Sequence, residues 1–138
     1  AKGIGGAITR GLIEEGSIPV IIDPSEKEGK ELVALAKEKA LHLPWRLFSP
    51  EDCQKVIVET VRVFGRIDGV VNNAGVNDGV GLENGNYERF IESLHKNLVH
   101  YYLIVQHALP ALKASKGSIV NIGSKIKPDL YNKKYREL

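Results

Sequence analysis

The chain is poor in several residue types, and each shortage narrows its possible class. It has 138 residues with no methionine, a single cysteine (Cys53), a single tryptophan and 7% aromatic residues. One cysteine cannot form an internal disulfide, which agrees with a reducing compartment. Because no histidine lies near Cys53 in the sequence, an ordinary helix residue is favoured over a nucleophile. No apolar run is long enough to cross a bilayer and no signal-peptide pattern is present. These absences predict a soluble, cytoplasmic protein without membrane contact.

The chain has only a small excess of positive charge, and this excess lies at its C-terminal end. The net charge is +2, and residues 125–138 alone hold five basic against two acidic side chains. No aromatic platform or helix-turn-helix pattern accompanies them, so a solvated surface is favoured over nucleic-acid binding. A tail that docks an acidic protein partner stays open as an alternative. The sequence predicts one domain over 1–125 and a basic tail over 126–138, with no metal site.

Apolar spacing predicts helices and strands that alternate along the whole chain. Short β-branched runs separate segments with helical periodicity, and this order is typical of a parallel sheet covered by helices on both faces. We therefore expect an α/β fold with a doubly wound parallel sheet of the Rossmann type. The predicted helices cover about 4–15, 25–39, 50–64 and 87–114, and the predicted strands cover 18–22, 41–47, 67–71 and 118–122.

The last predicted helix, Tyr87–Ala114, is apolar on nearly every side between Leu98 and Leu112. A helix with two apolar faces must bury both of them. One face should cover the sheet. The other predicts contact with a second copy of the chain, as a homodimer or homotetramer.

Glycines open the first helix, in the segment Gly3-Ile4-Gly5, and Asp23 follows the next predicted strand. A glycine turn lets backbone amides approach a pyrophosphate at the positive end of a helix dipole. An acidic side chain about twenty residues later is placed to accept the hydroxyls of an adenosine ribose. Two plainer interpretations remain, since the glycines could serve only helix–strand packing and Asp23 could be a helix N-cap.

The segment Asn72-Asn73-Ala74-Gly75 ends the apolar strand 67–71. Together with the glycine turn, Asp23, Asn97 and Ser124, it stands in the order and spacing of the short-chain dehydrogenase/reductase family, which the chain resembles from residue 1 to about 125. The segments 76–82 and 97–102 are most similar to sugar- or alcohol-oxidising members. The resemblance implies hydride transfer between a secondary alcohol or sugar and a nicotinamide cofactor.

The resemblance also implies a role for each matching residue. The amide of Ile4 would face phosphate, Asp23 would select NAD, and Asn72, Ala74 and Gly75 would hold the cofactor ribose and tie the central strands. Asn97 would keep a water in the proton relay, and Ser124 would hydrogen-bond the substrate oxygen. Without the family context, Asn97 could instead be a helix residue bonding its own backbone and Ser124 a strand-end turn.

The two cofactor forms are favoured by different residues. Lys2 resembles the basic residue that pairs with the 2′-phosphate in members that use NADP, whereas Asp23 would place a carboxylate against that phosphate. Like charges a few Å apart repel by about 1–4 kcal/mol at a surface-like dielectric. Because Asp23 should lie nearest the ribose, the sequence favours NAD over NADP.

Two family features are missing from the 138 residues. The family's Tyr-x-x-x-Lys should begin about thirteen residues beyond Ser124, at Glu137, and neither Tyr131 nor Tyr135 has a lysine four positions on. The family's first strand should precede Ala1 and lie between the strands that end at Asp23 and Asn72. We therefore expect an incomplete sequence of an enzyme, with 126–138 as a possible displaced part of its substrate lobe. The alternative is a non-catalytic nucleotide-binding module.

Overall fold

Helices and parallel strands alternate through the part of the chain that the structure describes. The computed structural model describes residues 1–123, so Ser124 and the predicted basic tail 126–138 lie outside it. The helices are α1 (Gly3–Glu14), α2 (Glu26–Leu35), α3 (Pro50–Phe64), α4 (Tyr87–Leu94) and α5 (His100–Ser115), with a π-helical turn (His95–Val99) between the last two. The strands are β1 (Val20–Ile22), β2 (Leu41–Leu43), β3 (Gly69–Asn72) and β4 (Ser118–Asn121).

Local signals set the ends of the helices. The hydroxyl of Ser49 accepts from the amide of Asp52 at 3.1 Å, and the Asp52 carboxylate accepts from the Ser49 amide at 3.3 Å, so a reciprocal capping box starts α3. Gly65 ends the same helix in the left-handed conformation. The helix predicted over 25–39 is shorter in the structure, because Lys37 and Glu38 take positive φ values of 52° and 61° and stop it after Leu35.

Parallel strand pairing confirms the predicted fold class, with one difference in how the strands are grouped. Val20 pairs with Leu41 in the β1–β2 sheet, and Gly69 pairs with Ser118 in the β3–β4 sheet. Within residues 1–123 the strands form these two separate sheets, and β1 is not paired with β3. The family resemblance predicts a further strand between the strands that end at Asp23 and Asn72, and residues 1–123 contain none there.

One hydrophobic core joins the two sheets. Leu43 of β2 and Val70 of β3 belong to the same buried cluster, which α3 and α5 complete through Val56 and Ile104. Cys53 lies in this core with no exposed surface. Burial, helped by the charge of Asp52, raises the pKa of the Cys53 thiol to about 11. The predicted role of Cys53 as an ordinary helix residue therefore fits its surroundings.

The long predicted helix buries one face and leaves the other open in the described chain. His100, Ile104, Ala108 and Leu112 are buried and recur every four residues along α5. On other sides, Leu98 is 58% exposed and Tyr102 is 67% exposed. No helix in residues 1–123 is both long enough and apolar enough to cross a membrane.

Candidate functional site

Asp23 follows β1 directly, and its carboxylate turns toward the start of α1. It forms an ion pair with the amino group of Ala1 and accepts a hydrogen bond from the Ser25 amide at 2.8 Å. Burial raises the pKa of Asp23, but the hydrogen bonds from the Ala1 amino group and the Ser25 amide outweigh it and hold the pKa below its ordinary value. The side chain is 26% exposed, so an ionised carboxylate stays open to a ligand.

The alternative that Asp23 is an N-cap does not match the geometry. The N-cap residue of α2 is Ser25, and Asp23 instead closes a local turn onto the Ser25 amide. A second contact anchors the same turn, because the Asp23 carbonyl lies 2.8 Å from Nε2 of His42 on β2.

The glycine-opened end of α1 is free of capping groups. Lys2, at the N-cap position, makes no side-chain cap, and the first turn holds no acidic residue. Gly3 has φ +54°, and the side chain of Ile4 is 63% exposed. The first amides of a helix lack intrahelical partners. This end of α1 is therefore suited to an anionic group.

Gly5 brings α1 against the Asn72–Gly75 segment. A side-chain carbon at position 5 would lie only 2.7 Å from Nδ2 of Asn73. Only glycine permits this approach without moving Asn73. The structure thus places the predicted phosphate-binding turn and the predicted ribose-binding segment side by side.

Asn72 is buried and fixes the end of β3. Its Nδ2 donates to Oδ1 of Asn121 at 2.9 Å and to the carbonyl of Tyr101 at 3.3 Å. These bonds join β3 to β4 and to α5. The Asn72 side chain is thus used to join structural elements, whereas Ala74 and Gly75 further along the segment are exposed residues.

Asn97 lies in the π-helical turn and holds the same segment from the other side. Its Oδ1 accepts from the Val76 amide at 2.7 Å, and its Nδ2 donates to the carbonyl of Ser93 at 3.0 Å. A side-chain carbon at Gly75 would lie 3.0 Å from Oδ1 of Asn97. The helix-residue interpretation is therefore incomplete, because Asn97 bonds its own helix and the strand-end loop at once.

His100 is a positioning residue that the sequence analysis did not single out. It is 3% exposed, and its Nε2 lies 3.1 Å from the carbonyl of Ala74. Its Nδ1 lies 3.3 Å from the carbonyl of His95. A signal was available in the sequence, since His100 is a polar residue within an apolar helical run, three positions after Asn97.

These residues form one edge of the fold, at the carboxyl ends of β1 and β3. They offer an ionised carboxylate, open helix amides, exposed strand-end backbone and fixed side-chain amides. Such groups can bind and orient a ligand that carries hydroxyls and an anionic centre. Among the described residues, no group of three or more His, Cys, Asp and Glu side chains could hold a metal ion. Ser124, the predicted substrate-binding residue, lies outside the described residues.

A parallel α/β fold whose strand ends meet a glycine-opened helix defines the class of dinucleotide-binding domains. The family model described as "short chain dehydrogenase" matches residues 1–132. The chain belongs to this family, as its resemblance predicted.

Two named relatives and one solved structure agree with this family assignment. L-Fucose dehydrogenase from Rattus norvegicus is 37% identical over 127 residues, covering 90% of this chain and 46% of the relative. A 2,5-dichloro-2,5-cyclohexadiene-1,4-diol dehydrogenase from Sphingobium indicum is 30% identical, covering 89% of this chain and 50% of the relative. The crystal structure of Cj0485 dehydrogenase superposes with a TM-score of 0.83 at 38% identity, covering 91% of this chain and 48% of the other. The chain thus spans about half the length of the relatives it matches.

Proposed function

We propose that the protein is an NAD-dependent oxidoreductase that transfers a hydride between a secondary alcohol or sugar and the nicotinamide. The observation that carries this proposal is the convergence of the Asp23 carboxylate with the uncapped start of α1. The first amides of α1 are uncapped and the Asp23 side chain is 26% exposed, and their charges suit the two ends of an adenosine diphosphate: hydroxyls at Asp23 and phosphates at α1.

Each described residue has a part in holding this cofactor. Asp23 accepts hydrogen bonds from the ribose hydroxyls, and the amide of Ile4 faces the pyrophosphate. The exposed backbone of Ala74 and Gly75 lines the next part of the site, with Asn97 and His100 holding that segment in place. When bound, the nicotinamide supplies the hydride acceptor or donor. The protein supplies orientation and a preformed polar surface.

The substrate class follows from family membership and from the relatives. One relative is named as a dehydrogenase of a sugar and another as a dehydrogenase of a diol. Both names describe molecules with hydroxyl-bearing carbons, so we propose a small alcohol or sugar as substrate. In this proposal Ser124 hydrogen-bonds the substrate oxygen, and Asn97 supports proton transfer through an ordered water. We also propose a cytoplasmic location. In this proposal residues 1–125 form the nucleotide-binding domain, and residues 126–138 form a basic tail outside it.

The Asp23→Ala variant of the full-length protein tests the cofactor assignment. Hydrogen bonds to a charged group are worth about 1.5–3 kcal/mol, so NAD affinity should fall about 10- to 150-fold. NADP affinity should change far less or improve, since a carboxylate facing the 2′-phosphate is removed. Calorimetric titration with both cofactors measures the two effects separately.

The Asp68→Ala variant is the matched control. Asp68 precedes β3 at the other end of the strand, is 61% exposed and pairs only with Arg66 among the described contacts. The Asp68→Ala substitution removes a charge of the same sign at a position distant from the proposed site. Equal losses of NAD and NADP in Asp23→Ala would contradict the role of Asp23.

We further propose that the exposed face of α4 and α5 joins a second copy of the chain. Leu98 and Tyr102 lie one turn apart there, and each exposes more than half of its surface. Tyr102→Glu should lower the assembly size measured by light scattering, because a charge would be buried unpaired. Val58→Glu on α3, at a site that is 59% exposed, is the control. If the two variants behave alike, this face does not mediate assembly.

A further inference from the structure

Lys2 stands where the proposed cofactor's ribose would meet the protein, yet its ammonium is already engaged. Its Nζ lies 2.6 Å from Oε1 of Glu28, and its side chain is 74% exposed. Lys2 follows Ala1, whose amino group pairs with Asp23. The basic residue and the ribose-selecting carboxylate are thus neighbours.

Glu28 is held in place from two directions. Its Oε2 accepts a hydrogen bond from the hydroxyl of Ser25, while its other oxygen faces Lys2. It also belongs to the first turn of α2, where the helix dipole favours a negative charge. The Lys2 and Ser25 hydrogen bonds lower the pKa of Glu28 to about 2, so the carboxylate is ionised at neutral pH.

Carboxylates outnumber the lysine in this cluster. Besides Glu28, the charges of Asp23 and Glu31 act on the Lys2 ammonium, and the hydrogen bond from Lys2 to Glu28 is the largest cause of its raised pKa. A 2′-phosphate placed beside Asp23 would therefore meet a lysine whose charge is already balanced. To pair with it, Lys2 would have to leave Glu28 and expose that carboxylate to the phosphate.

We propose that Glu28 is a specificity-determining residue that discriminates against NADP by holding Lys2 away from a 2′-phosphate. This inference rests on the proposed function and deepens it, because it assigns cofactor choice to two carboxylates. Asp23 selects the free ribose hydroxyls. Glu28 withholds the Lys2 ammonium, which would otherwise compensate a phosphate there.

Glu26 provides a matched control on the same helix. It pairs with Lys30 at 3.0 Å, and the two side chains are 68% and 74% exposed. Glu26→Gln removes the same charge from an acidic–basic pair two positions earlier in α2. Glu28, by contrast, is only 17% exposed and touches the residue next to the glycine turn.

The test is titration of the full-length Glu28→Gln protein with NADP and with NAD. Removing one like charge and freeing one cation near a dianion should tighten NADP binding about 5- to 50-fold at low salt. NAD binding should change by less than about twofold, and the NADP gain should shrink in high salt because these groups are exposed. Glu26→Gln should leave both affinities unchanged. Lys2→Ala combined with Glu28→Gln should abolish the NADP gain.

The outcomes separate this inference from the function on which it rests. A wild-type protein that binds neither cofactor, or prefers NADP, overturns the proposed function itself. A wild-type protein that prefers NAD, with Glu28→Gln equal to Glu26→Gln, overturns only the role of Glu28. An NADP gain that persists when Lys2→Ala is combined with Glu28→Gln would also overturn that role, because a freed Lys2 could not be its cause.

Discussion

Two polar regions meet at the strand ends of this fold, and they are built on different physical principles. The amide cluster, formed by Asn72, Asn97 and His100, uses hydrogen bonds that join different elements, and the side chains of Asn72 and His100 are buried. The charged rim, formed by Lys2, Asp23 and Glu28, uses ion pairs that are only partly open to solvent. Exposed ion pairs contribute little to folding, whereas losing a buried hydrogen-bond partner is costly. We therefore propose that the first region fixes the shape of the site and that the second decides which cofactor binds there.

The largest predicted effect on stability is in the amide cluster. Asn72→Ala leaves Oδ1 of Asn121 and the carbonyl of Tyr101 without their donor, at a position that is 5% exposed. We expect the free energy of unfolding to fall by about 1–3 kcal/mol. Urea unfolding of the full-length protein at one fixed concentration measures the loss.

Asn77→Ala is the control for that change. Asn77 is exposed, and its side chain only accepts from the Gly79 amide at 3.4 Å. Its free energy of unfolding should change by less than about 0.5 kcal/mol. Similar losses of unfolding free energy in the two variants would mean that the amide cluster contributes no more to stability than an exposed hydrogen bond.

The sequence singles out Lys2 and Asp23 in the charged rim and Asn72 and Asn97 in the amide cluster, but not Glu28, His100 or the tertiary partners, and the reason is the range of the signals. The glycine turn and the spacing from Gly3 to Asp23 are local patterns that survive without tertiary knowledge. The bond from Asn72 to Asn121 spans 49 residues. Neither apolar periodicity nor secondary-structure propensity predicts such a long-range pairing. Only the fold shows that the Asn72 side chain joins structural elements.

Local signals also explain where predicted elements succeeded or changed. Ser49, Pro50 and Gly65 fixed both ends of α3 because capping depends on nearby residues. The continuous helix predicted over 87–114 carries a π-helical turn at His95–Val99, where the Asn97 side chain bonds the strand-end loop. π-Helical turns are often found at functional sites. The apolar pattern of the sequence continues across such a turn, so the sequence alone does not reveal the turn.

A smaller effect, the pH dependence of stability, would sharpen the contrast between the two regions. The pKa of Glu28 is lowered from its ordinary 4.5 to about 2 in the folded chain. Its contribution to stability is therefore present above pH 4.5 and is lost as the pH falls toward 2. The destabilisation caused by Glu28→Gln, which should be small at pH 7 because the pair is exposed, should fade over that window. The loss caused by Asn72→Ala should stay constant, since no amide titrates there. Urea midpoints at pH 7, 5, 4, 3 and 2, roughly spanning the window that linkage defines, measure both trends. A Glu28→Gln effect as large at about pH 2 as at about pH 7 would contradict the role of the ionised Glu28 carboxylate, and an Asn72→Ala loss that follows the same pH trend would contradict the contrast between the two regions.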